Sequence, residues 1–159
     1  MQATTLDLHQ LIAHSGDAVV VAGTDGKIVL WNAAATRIFG FSEEEALAAT
    51  LDLIIPERLR NRHWEGYDKT METAYTKYGA DLLRVPALHK EGTPLSIAFT
   101  VSLLQDADGK VTGISAIIRD DTQRFQDERA LRSRLKELET KEAALIRELQ
   151  AKEIILPES

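Results

Sequence analysis

The chain of 159 residues contains no cysteine. Disulfides, thiolate nucleophiles and cysteine-ligated zinc or iron–sulfur sites are therefore excluded. Such a composition suits a reducing compartment, and we expect a cytoplasmic protein. Long apolar runs are missing too: none approaches the roughly 18–20 residues that span a bilayer. The N-terminus has no basic segment leading into an apolar stretch, so neither a membrane partner nor a secretory signal is expected. Basic surface is scarce. The net charge is −6, and the densest basic stretch holds only Arg58, Arg60 and Arg62, beside Glu57 and Glu65. That reads as a solvated helix face, so no nucleic-acid partner is expected. The nine glycines are scattered. With no Gly-x-x-x-x-Gly-Lys, Gly-x-Ser-x-Gly or kinase segment, no enzyme is expected.

What is present is ample core material, 44% hydrophobic residues against 28% charged, enough for one globular domain and an additional element. Leu6 to Ile12 has helical apolar spacing and ends near Ser15-Gly16, a short helix outside the main sheet. The runs Ala18–Ala22 and Lys27–Trp31 flank Gly23-Thr24-Asp25-Gly26, a hairpin signal because Asp-Gly tolerates positive φ. Asn32 is placed to cap a helix over Ala33–Phe39 that stops at Gly40. Ser42-Glu43-Glu44-Glu45 has the form of a capping box and predicts a helix carrying Ala46 to Ala49. Pro56 precedes a longer helix from about Glu57 to Thr73.

Three strands follow, Asp81–Leu88, Leu95–Leu104 and Val111–Arg119, joined by glycine-containing turns. Two strands, several helices and three strands predict an α+β fold: one five-stranded antiparallel sheet with helices on one face. From Asp121 the pattern changes. Leu131, Leu135, Leu138, Leu145 and Leu149 step by four, three, seven and four, an a/d seam with Glu142 at the missing core position. We read a long C-terminal coiled-coil helix that pairs two copies into a homodimer; the alternative is an amphipathic helix packed on its own domain.

The element order and several local strings resemble the PAS family over about Ser15 to Arg124. They are Asp17–Ala22 with Asp25-Gly26-Lys27-Ile28, Trp31-Asn32-Ala33-Ala34 through Phe39-Gly40-Phe41-Ser42, Ile55-Pro56-Glu57, Lys90-Glu91-Gly92-Thr93 and Ile118-Arg119-Asp120-Asp121-Thr122. The resemblance implies a cap helix over 1–15, a PAS sensor domain over 16–120 and a signalling helix over 121–159. It also implies a downstream signalling protein or effector domain as partner. Glu142 would keep two pairing registers close in free energy, making the helix a bistable reporter.

The sharpest functional clue is His63. Leu59, His63, Tyr67 and Met71 stand four apart and share a helix face, which points the imidazole inward. An inward imidazole either hydrogen-bonds internally or ligates a metal. The Pro-Glu…Arg-x-Arg-His string resembles that of FixL-type haem oxygen sensors, whose proximal histidine follows a similar Pro-containing entry to the same helix. That resemblance implies haem held by His63 and a small gas as ligand. Those sensors carry an arginine on the next strand; gapless counting places Leu83 there and Arg84 one residue later, on the opposite face. The distal side is then apolar, formed by Leu83, Val85, Phe99 and Val101, which would favour carbon monoxide or nitric oxide over oxygen. The alternative is a PAS interaction module with no cofactor, or with a non-covalently held flavin near Trp31 and Trp64. His9, His14 and His89 are expected to face solvent.

Overall fold

The computed structural model describes residues 7–153, which fall into two compact units divided between Asp121 and Thr122. The first unit is built on a five-stranded antiparallel sheet. Its strands are β1 (Ala18–Gly23), β2 (Ile28–Trp31), β3 (Leu83–Leu88), β4 (Pro94–Gln105) and β5 (Val111–Asp120), in the spatial order β2-β1-β5-β4-β3. The N- and C-terminal strand groups meet at β1–β5, where Ala18 pairs with Ile118 and Gly23 with Gly113. Gly113 is required there, since a Cβ would run into the Ala22 carbonyl.

Helices α1 (Leu8–Ala13), α2 (Ala33–Phe39), α3 (Glu43–Ala46) and α4 (Glu57–Thr73), with a 3₁₀ turn at Leu51–Leu53, complete the unit. Leu6, the first residue of the expected N-terminal helix, lies outside the described residues; the helix itself is capped by the Asp7 carboxylate. The Asn32 cap, the Gly40 stop in the left-handed region and the Ser42–Glu45 capping box all form as the sequence predicts.

One expectation is corrected. The capping-box helix ends at Ala46, not Ala49. Leu47 turns extended and Ala48 takes φ 65°, which frees the amide of Ala48 to donate to Ile28 and the amide of Ile28 to donate to Ala49. Bonding to the β2 backbone thus replaces the helix's next turn.

The core lies between the sheet and helices α2 and α3, with Trp31, Phe39 and Ile28 its largest fully buried side chains. Among the described residues Asn32 is the buried polar one, and all its hydrogen-bonding capacity is spent. Its Oδ1 accepts from the amides of Val19 and Ala35, both at 3.0 Å, and its Nδ2 donates to the carbonyls of Ile12 (2.9 Å) and Asp17 (3.1 Å). One side chain therefore ties the end of α1, the start of β1 and the first turn of α2. A buried amide is tolerated only when satisfied in this way.

The second unit is α5, a single helix of 32 residues from Thr122 to Glu153. Ion pairs one turn apart line it, among them Arg124–Glu128 (2.6 Å), Lys141–Glu137 (2.6 Å) and Lys152–Glu148 (2.8 Å). They support the helix locally, each by a few tenths of a kcal/mol, roughly.

Candidate functional site

A cavity of about 140 Å³ lies between α4 and the inner face of the sheet. Alternation along the strands supplies its walls. Val20 and Ala22 come from β1, Val85 and Ala87 from β3, Ile97, Phe99 and Val101 from β4, and Ile114, Ala116 and Ile118 from β5. Leu51, Ile54 and Ile55 close it from the segment before α4, and Pro86 lies at the β3 edge. Two polar side chains enter this lining, His63 and Tyr67, both from α4.

α4 begins directly after Pro56, whose φ of −53° suits a helix entry and whose missing N–H costs nothing there. Three side chains anchor the helix. Arg60 donates to the carbonyls of Ile55 (3.1 Å) and Asp52 (3.2 Å), and Trp64 Nε1 donates to Asp52 Oδ1 at 2.8 Å. Tyr67 donates its hydroxyl proton to the Gly23 carbonyl at the end of β1. The Trp64 ring packs over Gly26, whose φ is 76° and where a Cβ would strike the indole. The β1–β2 turn is thereby bound to α4 by a ring contact and a hydrogen bond.

His63 stands among these aromatics, its ring centroid 4.8 Å from Trp64 and 5.8 Å from Tyr67. Its Nδ1 is buried and has no hydrogen-bond partner, the one such side-chain nitrogen or oxygen among the described residues. Burial holds its pKa below the usual histidine value, with the Asp52 carboxylate pulling weakly the other way. The imidazole is thus neutral at neutral pH, the state that offers a lone pair to a metal. Burial, with Asp25 and Asp68 adding to it, pushes the Tyr67 phenol up to about 12, so it stays a donor.

The nine residues singled out from the sequence divide into two groups. His63, Tyr67, Val85, Phe99 and Val101 line the cavity, whereas Leu59, Met71, Leu83 and Arg84 are not among its walls. Positions four apart on a helix drift by about 40° each step, so Leu59 and Met71 turn progressively off the face that His63 and Tyr67 share. Leu83 pairs with Phe99 at the outer end of β3, and no bulge interrupts the β3–β4 register. Arg84 is exposed and reaches Asp121, with 3.5 Å between Nε and Oδ2.

Neither tryptophan lines the cavity: Trp31 is in the core, donating to Thr36 Oγ1 and the Phe41 carbonyl, and Trp64 faces Gly26. His89 also departs from expectation. It is half-buried, with its imidazole against Gly40, where a Cβ would strike the ring. The wall residues missed in the sequence, such as Ile97, Ile114, Ala116 and Ile118, carry a detectable signal: they stand at even spacing along strands already recognised.

A family model described as the PAS fold matches residues 6–120. An uncharacterized protein of Azorhizobium caulinodans is 33% identical over 116 residues, covering 72% of this chain and 16% of that protein. The sensor protein FixL of Bradyrhizobium diazoefficiens is 29% identical over 125 residues, covering 78% of this chain and 23% of FixL. The chain thus spans less than a quarter of the length of either relative. Among solved structures, the PAS domain of a protein from Colwellia psychrerythraea superposes with a TM-score of 0.63 at 19% identity, covering 73% of this chain and 95% of that one. Strand order, capped helices and the matched span agree, and the chain belongs to the PAS family.

Proposed function

We propose that this sensory module binds haem through His63 and responds to a diatomic gas or to redox state, relaying the change along a dimeric α5. The observation that carries the reading is the unpartnered, buried Nδ1 of His63, a residue that lines a cavity whose walls, Tyr67 apart, are otherwise apolar. A buried polar atom without a partner costs stability, roughly 1–3 kcal/mol, and such atoms cluster where function requires them. The similarity to FixL supports the same reading. His63 would supply a nitrogen ligand for the haem iron, and Val85, Ile97 and Phe99 would give the haem apolar surroundings. Haem supplies the iron that binds gas or changes redox state.

Tyr67 already spends its proton on Gly23, so the cavity offers a bound diatomic little but apolar wall. Carbon monoxide and nitric oxide would be held well, and oxygen less firmly for want of a donor.

A second reading has its own support. At about 140 Å³ the cavity is smaller than most ligand pockets, which run to roughly 300–1,000 Å³. Haem would therefore require the cavity to enlarge, whereas a module with no cofactor, or one holding a small apolar molecule, requires no such change. A flavin gains nothing from the tryptophans, neither of which reaches the cavity.

The test is the absorption spectrum of protein produced with haem supply, beside a His63→Ala variant shown by circular dichroism to be folded. A Soret band in the parent that is lost or strongly shifted in the variant establishes haem and its ligand. A colourless, folded parent overturns the haem reading and leaves the cofactor-free module.

A further inference from the structure

His63 lacks the usual means of orienting a ligating imidazole. In most metal sites the second ring nitrogen donates to a carboxylate or a carbonyl, which fixes the tautomer and the plane of the ring. Here Nδ1 is buried and has no partner. What bounds the ring instead is aromatic. The Trp64 indole meets it in a T-shaped contact, 4.8 Å between centroids and 80° between planes, and the Tyr67 ring lies 5.8 Å away at 39°. Those two neighbours also contact each other, at 5.2 Å and 68°.

Successive side chains on a helix point about 100° apart, so α4 by itself does not hold Trp64 against His63. Two groups outside the helix do. Near one end of the indole, Nε1 donates to Asp52 Oδ1 at 2.8 Å. At the other end, Cζ3 and Cη2 lie over Gly26, where a Cβ would strike them. Asp52 is itself placed by Arg60, which donates to its carbonyl at 3.2 Å and stands 3.8 Å from Oδ1 through Nε.

We propose that Trp64 is the positioning residue of His63, held by the Asp52 acceptor and the bare Gly26 backbone, so that aromatic packing replaces a hydrogen bond in fixing the imidazole. The proposal rests on the reading of His63 as the haem ligand and adds what orients it. An orienting carboxylate would also raise the basicity of the ring. Packing fixes direction without that gain. The indole also makes the ligand sensitive to distant backbone: a shift of the β1–β2 turn or of the 3₁₀ turn moves Trp64, and Trp64 moves His63.

The test reads the nuclear Overhauser effect between the ring protons of His63 and Tyr67, in the full chain produced without haem. Tyr67 is held separately by its bond to Gly23, and neither ring belongs to a substituted residue. Trp64→Leu should weaken this effect severalfold, because the imidazole is then free to turn. Trp64→Phe, which keeps a ring but cannot reach Asp52, should weaken it too and serves if the leucine variant fails to fold.

Two matched pairs isolate the supports. Asp52→Ala removes the acceptor and should weaken the effect, whereas Asp52→Asn keeps an accepting oxygen without the charge and should preserve it. Gly26→Ala should weaken it by displacing the indole. Gly109→Ala should not: its φ of 80° imposes similar backbone strain, with nothing within 4 Å of the added methyl. In protein loaded with haem, the three weakened classes should release it to an apo-globin acceptor about tenfold faster than the parent.

An effect unmoved by folded Trp64 variants overturns the positioning role. Equal losses in Asp52→Asn and Asp52→Ala overturn the acceptor's part and assign it to charge, and equal losses in Gly26→Ala and Gly109→Ala overturn the turn's part. A parent that takes up no haem yet shows the expected pattern overturns the haem reading and leaves the positioning role standing.

Discussion

The two units of this protein handle apolar surface in opposite ways. In the unit ending at Asp121, Trp31 and Ile28 are 2% exposed or less and Phe39 not at all, while α5 leaves its seam leucines largely in the open. The first unit buries its apolar residues against its own strands and helices, so its stability is a property of one chain. The helix has ion pairs along its surface but no buried side chain among its described residues. A helix in that condition draws most of its stability from whatever covers its apolar stripe. Core sequence therefore encodes a fold, whereas on the dimer proposed above the seam would encode an association.

Three substitutions or conditions separate the units, the largest effect coming first. Phe39→Ala removes a ring that is fully buried against Trp31, with centroids 5.5 Å apart. It should cost the sheet unit about 3–5 kcal/mol. Denaturant unfolding checks this, and self-association below the transition should not change, since the seam is untouched. Equal loss of both would mean that the units do not fold independently.

Glu142→Leu acts on the other unit. A leucine completing the a/d seam should strengthen the dimer by about 2 kcal/mol. Sedimentation at graded concentrations would detect this as a much lower dissociation constant, with the sheet unit's unfolding unaltered. If Glu142 also balances two registers, the variant should signal abnormally; unchanged signalling would remove that role.

The smallest effect is electrostatic. Burial lowers the pKa of His63 in the folded chain, so the unfolded chain binds the proton more readily. His63 thus contributes stability fully present above the unfolded value of about 6.5 and lost as pH falls toward the lowered native value. Melting temperatures at pH 7.5 and 5.5 should differ less in His63→Phe than in the parent. Identical slopes would show that His63 ionises as freely folded as unfolded.

Local chemistry was legible wherever neighbours in sequence are neighbours in space. The Asn32 cap, the Gly40 stop and the Ser42–Glu45 capping box involve residues within one helical turn, and they form as read. The strand spans agree to within two residues, and alternation placed Val85, Phe99 and Val101 on the inner face. Spacing failed where it was extended too far. Four-residue steps from Leu59 to Met71 accumulate rotation, so the ends of that stripe leave the cavity while His63 and Tyr67 stay. The α3 helix was overrun because its end depends on pairing with β2, which its own residues do not announce.

By itself, the sequence determined the element order, the caps and part of the inward side of β3 and β4, since each depends on backbone periodicity and contacts within a few residues. Tertiary structure alone decided the rest. It brought Tyr67 to the Gly23 carbonyl, Trp64 onto Gly26 and Asn32 to carbonyls from two other segments. It also left His63 Nδ1 buried without a partner. These are meetings between residues up to 44 positions apart. Whether a polar atom finds a partner there depends on how the whole sheet and its helices close, which no local pattern specifies.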